Sequence, residues 1–238
     1  MNDADALISA MGKDARVREL AMSFLQETAQ YRYTYHFSWM GRPIVQAPQD
    51  IMAMQELVWQ IKPKCIIETG VAHGGSVVFY ASMLELIGGE GVVIGVDVEI
   101  KPDNRRAIEA HPMAKRIQLV EGSSTDAVVA ERVRELVGSR GPVLVALDSN
   151  HTHDHVLREL EIYSPLVRAG SYVVVFDTTI EDMPEGLYPN RPWNKLNNPK
   201  TAVRQFLRNT PRFVIDERVQ NRLQITVAMD GYLKCIAD

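Results

Sequence analysis

The 238-residue sequence predicts an α/β fold: a doubly wound, mostly parallel sheet, with an N-terminal helical extension before it and an antiparallel strand pair at its end. Three observations predict this. Short β-branched runs, almost wholly apolar, recur through the middle of the chain, as strands covered on both faces require. Stretches of helical spacing separate them, long enough for the crossovers that parallel neighbours need. Five runs also end in a carboxylate: Glu68, Asp97, Glu121, Asp148 and Asp177. Ligands of open α/β sheets bind beyond the carboxyl ends of the strands. Five acids along one rim repel each other unless solvated or balanced by cations. The alternative for any one of them is a plain helix cap or turn residue.

The elements follow in chain order. Residues 1–62 read as a mostly helical extension, and residues 63–238 as a single compact unit. MNDADALISAMGKDARVREL reads as an amphipathic helix and lacks the apolar centre of a secretion signal. The helical pattern breaks at WMGRP (39–43) and resumes in PQDIMAMQELVWQI (48–61), with Pro48 and Asp50 as start signals. CIIE (65–68), VVIGVD (92–97), IQLVE (117–121), VLVALD (143–148) and YVVVFD (172–177) are the five strands. SVVFYASMLELI (76–87), TDAVVAERVRELVG (125–138) and HDHVLRELEIYSPL supply helices between them. The stretch 178–200 holds four prolines and little periodicity, and a loop of that length is more often functional than idle. PKTAVRQFLRN (199–209) reads as a helix. RFVID (212–216) and LQITVAM (223–229) read as the final antiparallel pair.

Composition narrows the function. Hydrophobic residues at 46% and charged residues at 24% are ordinary for a globular chain. A net charge of −4 disfavours nucleic acid, which needs a basic face. Only two cysteines, Cys65 and Cys235, argue against a disulfide framework and for a reducing, cytoplasmic location. No apolar run is long enough to span a membrane.

The turn after the first strand is ETGVAHGGS (68–76). It is not a dinucleotide fingerprint, because Ala72 stands where the second glycine belongs. No Gly-Lys-Ser/Thr follows, so it is not a phosphate-cradling P-loop either. Glu68, Gly70 and Gly74, with Gly75 and Ser76 adjoining, resemble the first motif of S-adenosylmethionine (SAM)-dependent methyltransferases. An acid at the start of that loop suits the cationic amino-acid tail of SAM. Asp97 is placed to accept hydrogen bonds from a ribose diol, and Gly122, Ser123 and Ser124 to line an adenine. A tight strand–helix turn with no ligand is the alternative.

LDSNHTHDHV (147–156) carries half of the six histidines. If a helix starts within it, positions i and i+2 point apart, so a chelating histidine trio is not expected. A two-histidine, one-carboxylate iron triad remains a competing reading. Asp148 and Asp177 end strands one crossover apart and are expected to be neighbours. Two carboxylates with water make a hard oxygen site that suits Mg²⁺. His151 is then the expected general base for an acceptor hydroxyl.

These stretches, with FSWMGRPI and NRLQITVAMDGYLK, resemble the cephalosporin hydroxylase / rhamnosyl O-methyltransferase family over roughly residues 35–235. ETGVAHGGS and HTHDHV are the most specific parts. Despite the hydroxylase label, members look like Rossmann-like class I SAM-dependent methyltransferases. The resemblance implies a Mg²⁺-dependent O-methyltransferase acting on a sugar, glycan or related hydroxylated metabolite, often in polysaccharide biosynthesis. It implies metal-binding acids at Asp148 and Asp177 and the histidine at His151. Phe176 stands where relatives carry an acid, so Thr178 or water is left as the third ligand. The competing readings are an iron-dependent hydroxylase and a non-catalytic SAM-fold binding protein. Tyr33, Tyr35, Trp39, Arg42, Tyr188, Arg191 and Trp193 are candidate contacts to a small-molecule or glycan acceptor, or to another copy in a homo-oligomer.

Overall fold

The computed structural model describes residues 3–187 and 189–238, so the acceptor candidate Tyr188 lies outside the described residues. Two helices, α1 (Asp3–Lys13) and α2 (Ala15–Ala29), open the chain. Asp14 separates them; its side chain accepts from the Arg16 and Val17 amides and caps α2. The break at 39–43 is a small hairpin, β1 (Phe37–Trp39) with β2 (Arg42–Ile44). Met40 and Gly41 turn it with positive φ at both positions. Twist-matched two-residue hairpins require this, although Asn-Gly is the usual pair. Helix α3 (Pro48–Ile61) follows, with Pro48 at its first turn as expected.

The parallel core runs β3 (Cys65–Thr69), α4 (Gly75–Ile87), β4 (Val92–Asp97), α5 (Pro102–Glu109), β5 (Ile117–Glu121), α6 (Ala127–Val137), β6 (Val143–Leu147), α7 (His153–Tyr163) and β7 (Tyr172–Val175). Then come α8 (Pro199–Asn209), β8 (Phe213–Ile215), α9 (Glu217–Leu223) and β9 (Tyr232–Cys235). The seven-stranded sheet is ordered β5-β4-β3-β6-β7-β9-β8, and β9 runs antiparallel to both of its neighbours. The five predicted strands are all present and parallel. Strand alternation sends Cys65, Ile67, Val145 and Val173 to the face covered by α6, α7 and α8. Ile66, Leu144, Ala146 and Val174 go to the face covered by α3, α4 and α9.

One predicted strand is displaced. LQITVAM is not paired; helix α9 takes up its first residue, and the final antiparallel pair joins β8 to β9 instead. The reason is Asp50. It is no exposed helix-start acid but is fully buried on α3. Its carboxylate accepts from the Val227 amide at 2.9 Å, the Tyr232 hydroxyl at 2.6 Å and the Thr226 hydroxyl. With the Val227 amide given to Asp50 and the Ala228 amide to the Thr226 hydroxyl at 2.9 Å, these two donors do not serve a strand partner. Burial nevertheless raises Asp50 to about 6.

The chain crosses from β5 back past β3 to β6, so the order reverses between β3 and β6. Such switch points form ligand crevices. No helix among the described residues is long and apolar enough to cross a membrane.

Candidate functional site

All five rim acids lie at the carboxyl edge, in the spatial order Glu121, Asp97, Glu68, Asp148, Asp177. Four of them have partners of their own. Glu121 pairs with Arg105 at 2.8 Å. Asp97 Oδ2 accepts from the Val71 and Ala72 amides at 2.8 and 3.0 Å, so it holds the glycine loop from below. Asp148 Oδ2 accepts from Gln46 Nε2 at 2.9 Å. Asp177 Oδ2 lies 3.1 Å from His151 Nε2. Glu68 is fully buried, and neither of its oxygens has a hydrogen-bond partner of good geometry. Burial pushes Glu68 up to about 8; the Ser76 hydroxyl opposes the rise and Asp97 adds to it.

A measurable consequence follows for Glu68. In the fold it stays protonated up to about pH 8, whereas its ordinary value is 4.5. Across that window the unfolded chain binds fewer protons, so stability falls as pH rises. Glu68→Gln is expected to flatten this fall in ligand-free unfolding curves between pH 6 and 8, where Asp50 contributes little further. An identical pH slope in the variant would remove the assignment of Glu68 as a neutral acid.

The glycines are needed by the protein's own packing. Gly70 has φ +91°, and a Cβ there would lie 2.0 Å from the Asp148 carbonyl oxygen. At Gly75 a Cβ would lie 2.2 Å from the Pro43 carbonyl, and at Gly74 it would meet Ile108. The absent side chains let the end of β6 and the hairpin close onto the loop. Arg42 completes the clamp: its guanidinium donates to the His73 carbonyl and to Asn104.

The predicted adenine loop splits in role. The Gly122 amide donates to the Asp97 carbonyl at 2.8 Å. Ser123 contacts Thr125 at 3.0 Å. Ser124 turns inward, 4% exposed, and donates to Glu159. Glu159 is fully buried and also accepts from Ser149 at 2.7 Å, with His155 beside both serines. Sequence reading missed this acid; only its spacing of four from His155 hinted at it.

The three histidines diverge: His153 and His155 as helical geometry demands, and His151 because it lies before α7 begins. His153 meets Thr201 at 2.8 Å and Gln205 at 3.1 Å on α8. His155 faces Ser124 and Ser149. His151 alone turns to the rim, where its ligand atom and those of Asp148 and Asp177 lie within 4.8 Å of one another. One imidazole and two carboxylates are thus assembled, and among the described residues no two-histidine, one-carboxylate triad is. β6 and β7 are adjacent, which makes the two aspartates neighbours as predicted. Asp177 takes a left-handed φ of +56°, a strained conformation typical of functional positions. Burial first, then the carboxylates of Asp177, Glu68, Glu159 and Asp50, push Asp148 well above the usual range. Thr178 is buried, and its hydroxyl donates to the Val227 carbonyl at 3.4 Å. His151 supplies the third ligand atom of the cluster.

Over His151 stands Trp193, ring to ring at 4.7 Å and edge-on, with the Arg191 guanidinium 5.1 Å from the indole. The indole N–H is buried without a partner. The loop carrying them is held at its root: Asn197 accepts from the His153 amide at 2.7 Å, and Lys200 donates to Asp182. The other acceptor candidates have different work. Trp39 donates to Ser82 at 2.9 Å and packs on Phe79, and Tyr33 packs between Phe24 and Phe37. Tyr35 is 55% exposed.

The family model for rhamnosyl O-methyltransferase/CmcI matches residues 31–236. The rhamnosyl O-methyltransferase of Mycobacterium tuberculosis H37Rv is 30% identical over 203 residues, covering 82% of this chain and 77% of that protein. The rhamnosyl O-methyltransferase of Mycobacterium leprae is 32% identical over 150 residues, 62% of either chain. Among solved structures, CmcI with Mg and SAM superposes with a TM-score of 0.60 at 18% identity, over 85% of this chain and 78% of that one. That likeness speaks for the fold, a class I methyltransferase sheet. The family match over most of the length and the mycobacterial identity decide the rest: this chain belongs to the rhamnosyl O-methyltransferase/CmcI family.

Proposed function

We propose that this protein transfers the methyl group of SAM to a hydroxyl of a sugar, glycan or related hydroxylated metabolite, with Mg²⁺ bound at Asp148 and Asp177. The observation that carries the reading is the Asp148–His151–Asp177 cluster, set beside the glycine loop at the switch point. Its donor set suits a divalent ion. The unpartnered, buried Glu68 and the Asp97-braced loop suit a cationic ligand that carries a diol. Family membership supports O-methyl transfer, and the mycobacterial relatives' name supports a sugar acceptor.

Glu68, Gly70, Gly74, Gly75 and Ser76 shape the side for the amino-acid tail, Asp97 the ribose side, and Gly122 and Ser123 the adenine side, with Ser124 anchored behind them on Glu159. Bound Mg²⁺ would supply Lewis acidity that lowers the pKa of the acceptor hydroxyl. Asp177 orients the His151 ring through Nε2, which leaves Nδ1 to take the acceptor proton. Trp193 and Arg191 offer an aromatic and cationic face to the acceptor beside that base. The acceptor oxygen would then bond to the methyl carbon in line as the methyl–sulfur bond breaks and the sulfonium leaves as the neutral thioether; the chain's main contribution is to hold donor and acceptor oxygen in contact.

The test is methyl transfer from labelled SAM to a panel of nucleotide sugars and glycans. Each product should gain one methylene, transfer should cease on exhaustive chelation, and Mg²⁺ should restore it. Full activity after chelation would assign the two aspartates another role, and a product gaining oxygen instead would favour a hydroxylase. Asp97→Ala should weaken SAM binding by at least tenfold in calorimetry, since it removes both a diol acceptor and the brace under Val71 and Ala72. Unchanged affinity would overturn the ribose assignment.

A further inference from the structure

We infer that Gln46 is a positioning residue of the active site, supplied by the N-terminal extension to aim the Asp148 carboxylate at the metal; this rests on the metal reading above. Gln46 lies between β2 and α3, in a stretch without any recognisable motif. It is 4% exposed, and its Nε2 donates to Asp148 Oδ2 at 2.9 Å. Its Oε1 is buried and has no partner. An unmet buried polar atom costs about 1–3 kcal/mol. Gln46 has spent its donor on a site carboxylate and kept its acceptor idle.

The backbone around Gln46 is fixed from both sides. On one side, Gly75 lacks the Cβ that would strike the Pro43 carbonyl, so β2 lies directly against the start of α4. On the other, Asp50 ties α3 to Thr226, Val227 and Tyr232. Asp148 itself sits one residue beyond β6, where the strand no longer restrains its side chain. An N–H on one carboxylate oxygen fixes the plane of the group and leaves lone pairs for an ion. Partners of this kind usually contribute 10- to 100-fold to metal affinity. The extension is by this argument part of the catalytic centre, and a boundary at residue 62 cuts through it.

The test is Mn²⁺ binding, read by electron paramagnetic resonance on the full chain, with SAM affinity measured in parallel by calorimetry. Gln46→Met keeps length and packing but has no N–H; Gln46→Asn keeps the amide but is one methylene too short. Both are expected to weaken Mn²⁺ binding by about 10- to 100-fold while SAM affinity stays within about twofold of wild type. If one variant fails to fold, the other carries the test. Unchanged Mn²⁺ affinity in a folded variant overturns the role of Gln46, and so does equal loss of Mn²⁺ and SAM affinity, which marks a general structural part. A wild-type chain that binds no Mn²⁺ overturns the metal reading itself, and with it this inference.

Discussion

His151→Ala is expected to lower kcat by about 100- to 10,000-fold, the range over which positioned acid–base groups act. SAM affinity should stay near wild type, because His151 lies on the Asp177 side of the cluster and not at the glycine loop. The reason for the large effect is geometric. Of the three histidines in LDSNHTHDHV, only this one faces the rim; its ring is held between the Asp177 carboxylate at 3.1 Å and the Trp193 indole. Both a base and a ligand fit that position, and Mn²⁺ affinity tells them apart. A base leaves the affinity near wild type, with the rate lost and the pH dependence of the residual rate flattened. A ligand lowers the affinity along with the rate. Wild-type turnover in the variant at every pH would remove His151 from the mechanism altogether.

Gly70→Ala is expected to cost at least about 3 kcal/mol of stability, since it combines a left-handed conformation with overpacking. Gly70 sits at φ +91°, and its Cβ would lie 2.0 Å from the Asp148 carbonyl oxygen and 2.6 Å from the carbonyl carbon. Neither atom can yield without moving the end of β6 and therefore Asp148. For a chain of this size about 3 kcal/mol lowers Tm by roughly 6–12 °C. Gly41→Ala is the control. It shares a positive φ of +83° but has nothing within 4 Å, so it should show only the conformational part of the cost. A Gly70→Ala protein that melts no lower than Gly41→Ala would mean that the loop after β3 and the end of β6 are not in contact.

Much of this architecture was legible from local pattern. Fully buried strands are apolar throughout and must end where the chain turns polar, so the five acids marked both the strands and their common edge. Asp148 and Asp177 could be paired in advance because a single crossover separates their strands. Helical spacing sufficed to separate His153 from His155. The hairpin at 37–44 was hidden because its turn is Met40-Gly41, and a methionine in the left-handed region carries no turn signal. The strand misplaced at 223–229 was hidden for a similar reason. Its β-branched alternation is real, but the group that claims its backbone, Asp50, lies 177 residues away in sequence.

By itself the sequence determined the five parallel strands of the sheet, their carboxyl edge, the glycine loop and the acids on offer, because these follow from the periodicity and turn chemistry of neighbouring residues. Only the tertiary structure decided which groups meet across long separations. It set Gln46 on Asp148 and Trp193 over His151, brought the Thr178 hydroxyl to the Val227 carbonyl, and filled the spaces at Gly70 and Gly75 with the protein's own carbonyls. The physical reason is that such contacts depend on where whole helices and strands come to rest against one another. Packing settles that, and no local pattern records it.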